Sequence, residues 1–374
     1  MKIIYINNSR LPTERAHGYQ VGKMCEAFAE AGAEVELWYP ARQNQIKEDV
    51  FTYYSLKPIF LAVEIKSFDW LRFHKYLDKP SFWLHSLFFF VNIFLKPIDK
   101  EAVIYTRNIE ISWLFNLKKH KVVYECHCWP ETKARLYKFL ARSNKKVAVI
   151  TEALKKLYLA NGFKDNEILV APDGVDLTEF NSRLTKAEAR DRVGLPLDKK
   201  IVLYAGHLYE WKGAQVLADA ACLLGGEVLT VFVGGTPWDL KKFQSKNCDL
   251  NNILITGHVK HSLVPLYLQA ADVLVLPNLG AEKISSAYTS PLKLFEYMAS
   301  GRPIVASALP SIREILNDKN SVLVESDSPS SLAGGIKEVL KNGVLAESLA
   351  KQALVCVKEF SWQKRAERII NFIS

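Results

Sequence analysis

Nothing in the 374 residues is long and apolar enough to cross a bilayer, which takes about 20 apolar residues in a row. The most apolar run, Ser81 to Leu95 with Phe88, Phe89 and Phe90, is broken by His85 and Asn92. It is expected to be a core helix first and an interfacial one second. Met1 to Asn7 reads as a strand and lacks the zones of a signal peptide. Cysteine is scarce, six in all, and only Cys126 and Cys128, flanking His127, lie close together. A disulfide framework is thereby excluded and a reducing, cytoplasmic setting expected, with contact at the inner face of a membrane as the alternative. Alternate residues on a strand point to opposite faces and no second ligand pair at zinc spacing follows, so these residues do not read as a metal site. There is no Asp-x-Asp triplet to bridge a metal to a diphosphate, and no essential metal or other cofactor is expected. The first strand leads into Asn7, Asn8, Ser9 and Arg10 rather than a GxGxxG turn, which removes most support for hydride transfer. No basic block with interleaved aromatics occurs, so nucleic acid is not an expected partner.

What remains is the balance of a globular protein, 49% hydrophobic and 24% charged, in a chain long enough for two cores. A net charge of +9 favours an anionic partner such as a nucleoside diphosphate or anionic lipid head groups. Strand candidates at Lys2 to Asn7, Glu34 to Tyr39, Ala102 to Tyr105, Lys121 to Cys126, Lys146 to Thr151 and Ile168 to Ala171 alternate with helical patterns beginning near Gly18, Asn108, Glu131 and Glu152. Between Pro40 and Lys100 the pattern is blurred. Pro172 to Lys200 carries no strand signal and reads as the linker. Six more strands are expected at Ile201 to Ala205, Val228 to Val233, Asn252 to Thr256, Val273 to Leu276, Pro303 to Ser307 and Ser321 to Val324. The fold class is therefore α/β, two Rossmann-like doubly wound parallel sheets, and such sheets bind ligands beyond the carboxyl ends of their strands, here facing one interdomain cleft.

Chemistry concentrates in two stretches. In Thr289 to Gly301, TSPLKLFEYMASG, Ser290 suits a cap, Pro291 a first turn and Gly301 a left-handed stop. Leu292, Phe295, Met298 and Ala299 would face inward, leaving Lys293, Glu296 and Ser300 on another face. Amides around Ser290, Pro291 and Leu292 could hold a diphosphate, and Glu296 lies roughly 7.5 Å further along the axis, the reach to a ribose. Alone, Glu296 would read as a solvated helix glutamate. In Tyr204 to Gly213, YAGHLYEWKG, a strand ends in a glycine turn and Lys212 could offset charge on a leaving phosphate, with His207 adding a hydrogen bond. A surface lysine and a solvated loop histidine are the plain alternatives.

With HGYQVGKMCEAFAEAGAEVEL, VYECHCWPE, ILVAPDGVDLTEF, ADVLVLP, SGRPIVAS and FSWQKRAERII, these stretches resemble glycosyltransferase family 4, of the GT-B fold, along essentially the whole chain. The resemblance implies an acceptor-side domain over 1–180, a donor-binding domain over 198–355 and a final helix over 356–374 that returns to the first domain. It implies a hexose-type sugar transferred, with retained anomeric configuration, from a UDP- or GDP-type donor to a glycan or lipid-linked acceptor. Lys212 and His207 would contact the donor phosphates, Glu296 the ribose, and Gly257, His258 and Val259 the region of the base. His127 would reach the donor sugar, and His17 and Gly18 would stand where the family's glycine-rich loop faces donor phosphate and acceptor; the catalytic set is Lys212, His127 and Glu296. Two positions depart from the pattern: Tyr288 replaces the first of a pair of glutamates, and His207 an arginine. Those departures keep open a non-catalytic nucleotide-sugar-binding or membrane-associated partner, and the architecture a nucleotide-sugar epimerase.

Overall fold

The computed structural model describes residues 1–66, 74–130, 134–181, 184–247 and 251–374, with backbone alone at 74–83, Ala134 and Ile284. The chain divides into two compact units, Met1–Pro172 with Trp362–Ser374, and Asp173–Ser361.

The first unit is built on β1 (Lys2–Ile6), β2 (Glu34–Pro40), β3 (Leu61–Ile65), β4 (Val103–Thr106), β5 (Lys121–Cys126), β6 (Val147–Val149) and β7 (Ile168–Val170). All pairings are parallel, in the order β3-β2-β1-β4-β5-β6-β7. The central strands are largely apolar because both faces are covered: Ile3, Ile4, Tyr5 and Ile6 of β1 are all buried. The blurred region before Lys100 contains β3, whose edge position leaves Leu61 exposed, and a long helix, His74–Leu95. That helix is core on one side only. Phe89 and Ile93 are buried, whereas Leu87, Phe88, Val91, Phe94 and Leu95 are exposed, so the expectation of a core helix holds for half of it. No helix among the described residues is long and apolar enough to cross a membrane. The helix after β5 runs Ala134–Ala141, and Glu131, its expected start, lies outside the described residues.

The second unit holds β8 (Lys200–Ala205), β9 (Val228–Val233), β10 (Ile253–Gly257), β11 (Val273–Leu276), β12 (Ile304–Ser307) and β13 (Val322–Val324), parallel throughout in the order β10-β9-β8-β11-β12-β13. The stretch read as a bare linker belongs to this unit and contains a helix, Lys186–Val193. The helix has almost no apolar stripe to betray it. A reciprocal cap between Thr185 and Glu188 starts it, Gly194 at φ +67° ends it, and buried Arg190 anchors it by donating to Asp272 at 2.6 Å.

The last helix, Trp362–Ile373, packs on the helix Ala16–Glu30 of the first unit. Its Arg365 is buried, donating to the Ala171 and Pro172 carbonyls and, at 3.0 Å, to the Glu125 carboxylate at the end of β5.

Candidate functional site

In the second unit, β8 delivers Tyr204 and Ala205 into a turn at Gly206, whose φ of +133° suits glycine, and then His207. Tyr204 donates to the His207 carbonyl at 2.6 Å, fixing the turn. The His207 ring stacks flat on Tyr209, centroids 5.0 Å apart, with Nδ1 3.8 Å from the Asp239 carboxylate. A short turn, Glu210–Lys212, then aims Lys212 over the Tyr209 and Trp211 rings, 5.3 Å from each centroid. Gly213, at φ +72°, closes the turn where no side chain fits: a Cβ there would sit 1.7 Å from the Pro277 carbonyl oxygen beyond β11. Burial lowers the Lys212 ammonium to about 8, against the pull of Asp239.

The second stretch forms the helix Leu292–Ala299, with Gly301 at φ +69° just beyond it. Three expectations change here. Ser290 does not cap the helix; its hydroxyl accepts the Asp173 N–H at 2.9 Å, and Pro291 occupies the cap position instead. Leu292 is only half-buried, whereas Lys293 and Glu296, expected on an outer face, are both buried. The cause is tertiary, since the helix is covered on all sides. Tyr297 accepts the Ala205 N–H at 2.7 Å, locking the helix against the end of β8. Glu296 is not a solvated glutamate: its Oε1 lies 3.1 Å from His261 Nε2, and the same imidazole has Glu179 3.7 Å away on its other nitrogen.

The sequence reading missed His261 and Lys293. His261 sits on a three-residue turn that carries no periodicity. Lys293 looked like an ordinary surface lysine, yet its ammonium lies 3.8 Å over the Tyr204 ring and has no hydrogen-bond acceptor. At the end of β10, Gly257 has φ +74° and its carbonyl accepts the Gly234 N–H at 2.8 Å; His258 is exposed and Val259 packs on the core of this unit. Lys212, His207, Glu296 and the Gly257 turn thus all stand at the carboxyl edge of the second sheet, the edge where such sheets take ligands.

The first unit holds the remaining candidates. His127, just past β5, shares a 2.5 Å hydrogen bond with Glu125, which also accepts from Gln20 at 2.8 Å, from Arg365 and from Tyr105. Burial opposes the Glu125 charge, but Arg365 and the His127 hydrogen bond win and hold it well below the usual carboxylate range. Burial, then the nearby Arg107 and Arg15 charges, push His17 down to about 4. Gly18 has a part besides the one expected. Its N–H donates to the Arg15 carbonyl, and a Cβ would sit 2.0 Å from the Tyr54 hydroxyl, so Gly18 is also a packing position in the first turn of its helix where no side chain fits. Among the described residues no group of three His, Cys, Asp or Glu side chains could hold a metal ion.

Residues 199–342 match the family model for glycosyl transferases group 1. Over that stretch the chain is similar to the group 1 glycosyltransferases. A D-inositol 3-phosphate glycosyltransferase of Xylanimonas cellulosilytica is 28% identical over 257 residues, 65% of this chain and 60% of that protein. A putative teichuronic acid biosynthesis glycosyltransferase, TuaC, of Bacillus subtilis is 27% identical over 248 residues, 65% of this chain and 59% of that protein. The chain therefore matches about three-fifths of the length of these relatives. Anabaena Alr3699/HepE, solved with UDP and glucose, superposes with a TM-score of 0.76 at 16% identity, covering 99% of this chain and 98% of that one, and the fold of this chain is GT-B-type.

Proposed function

We propose that this chain is a retaining transferase that moves a hexose-type sugar from a UDP- or GDP-type nucleotide sugar to a glycan or lipid-linked acceptor, in synthesis of a surface polysaccharide or lipid-linked glycan. The observation that carries the reading is the gathering of Lys212, His207 and Glu296 at one edge of the second sheet. A half-buried ammonium beside a glycine turn suits a diphosphate that gains charge as the glycosidic bond breaks, and it does so without a metal. Glu296, held by His261, supplies an acceptor for ribose hydroxyls. The acceptor proton passes to the leaving diphosphate, so no enzyme nucleophile is required. His127, its ring oriented by Glu125, is the first unit's candidate for a polar contact with a ligand. Tyr288 in place of a carboxylate removes one reader of sugar hydroxyls, and the donor sugar is accordingly one recognised with fewer charged contacts.

A lipid-linked acceptor is favoured by the exposed apolar face of the helix His74–Leu95 together with the +9 charge. The name of the Bacillus relative points the same way, towards a surface polymer. The deciding experiment is a thermal-shift screen against UDP, GDP, ADP, CMP and TDP sugars, with and without EDTA. A rise in midpoint with a UDP or GDP sugar that EDTA leaves unchanged, followed by transfer with retained configuration, is expected. No shift with any nucleotide sugar at millimolar concentration overturns the reading.

A further inference from the structure

Lysine is an unusual choice for the place Lys293 occupies. The residue is 8% exposed, its ammonium has no acceptor, and the ring face of Tyr204 3.8 Å away is its one described polar contact. A buried ammonium without an acceptor is costly, and methionine would fill the same volume without that cost. The position is nevertheless built with care. One turn along the helix, Tyr297 takes the Ala205 N–H, and this bond sets Lys293 directly beneath the Gly206 turn, with Nζ 3.9 Å from where a Cβ at Gly206 would lie. Gly206 opens the segment that ends in Lys212, and Gly234 keeps the neighbouring space clear, since a Cβ there would sit 2.7 Å from the Gly206 carbonyl oxygen. Two amines from two different elements therefore share one glycine-lined turn.

We propose that Lys293 is a second donor-phosphate ligand, which acts with Lys212 on the anionic diphosphate and takes a proton from solvent as the nucleotide sugar binds. The inference rests on the donor reading above and adds to it a residue and a proton. The charged and titratable groups around Lys293 are few. From β8 there is the Tyr204 phenol, from its own helix Glu296 and Tyr297, and from the turn after β8 Lys212, which has Asp239 as its own partner. Glu296 is in turn engaged by His261. Burial, then repulsion from Lys212, press the Lys293 ammonium well below the ordinary lysine range, and Glu296 only partly opposes them. An arriving diphosphate reverses both effects by bringing negative charge to two amines at once. Until negative charge arrives, these surroundings favour the neutral form of Lys293 over the charged one.

Isothermal titration with UDP-glucose, with GDP-mannose as second probe, in two buffers of different ionisation heat reads the proton directly. Wild-type protein is expected to show proton uptake at neutral pH, and K212M to retain part of it. K293M, which removes the amine and keeps the volume, should lose that part and weaken nucleotide-sugar binding about 30-fold, with uridine binding unchanged. K293Q, checked for folding alongside, should behave likewise, and it decides the matter with the wild-type buffer comparison if K293M does not fold. Wild-type binding with no proton uptake, or a folded Lys293 variant with wild-type affinity and uptake, overturns the role of Lys293 and leaves the donor reading standing. Absence of binding by wild-type protein to either probe brings down both.

Discussion

A single added carbon tests how finely the donor edge is set. Gly213→Ala combines a left-handed backbone with a Cβ 1.7 Å from the Pro277 oxygen, so the variant should lose at least about 2 kcal/mol of stability, visible as a lowered thermal midpoint. Lys212→Ala should weaken UDP-glucose binding tenfold or more with little change in the melt, because the ammonium lies over exposed-edge rings rather than in the core. Unchanged affinity in that titration would remove Lys212 from the site. The sign of its pH dependence is fixed by its value of about 8. The folded state gives up the proton sooner than the unfolded chain, so the empty protein gains stability as pH rises from about 8 towards 10.5. Nucleotide-sugar affinity should move the other way and fall above pH 8. At this scale motifs in the sequence single out Lys212, His207 and Glu296, and the structure sets them at the carboxyl edge of the second sheet. The sequence was not legible for Lys293, because helical spacing assigns a face but cannot say that a second layer covers that face. Gly18 carries a second requirement that its motif does not announce, since a Cβ there would meet Tyr54.

Elements were easier to read than residues, and for a physical reason. Buried parallel strands such as β8, β9 and β11 are mostly apolar runs that end at Gly206, Gly234 and Pro277, and they stand almost where the sequence puts them. The edge strand β3 and the helix Lys186–Val193 escaped detection, the first because one side of it faces solvent, the second because caps rather than an apolar stripe define it. Thr185→Ala should therefore cost about 1 kcal/mol, read by chemical denaturation, a large effect for an exposed hydroxyl. Tyr297→Phe is the sharper probe. It strands the buried Ala205 N–H, should cost about 1–3 kcal/mol, and should also lower donor affinity by loosening the helix that holds Lys293 and Glu296; a variant that melts early yet binds normally would separate those two roles.

For the molecule as a whole, charge and chain path matter more than any one contact. The +9 charge and the exposed face of the helix His74–Leu95 predict binding to vesicles rich in anionic lipid that weakens as salt rises; indifference to both lipid charge and salt would exclude a membrane role. Arg365→Met leaves the buried Glu125 carboxylate short of its main countercharge and should destabilise the first unit by about 3–5 kcal/mol, while the second unit keeps its nucleotide-induced thermal shift. The first unit is discontinuous, since residues 173–361 are inserted before its last helix. On the ribosome the insert emerges in one piece and is free to fold while its host still waits for Trp362 and Arg365, so the second unit can mature on a chain whose first unit is unfinished. During synthesis, the part proposed to capture the nucleotide sugar would be ready before the part proposed to use it.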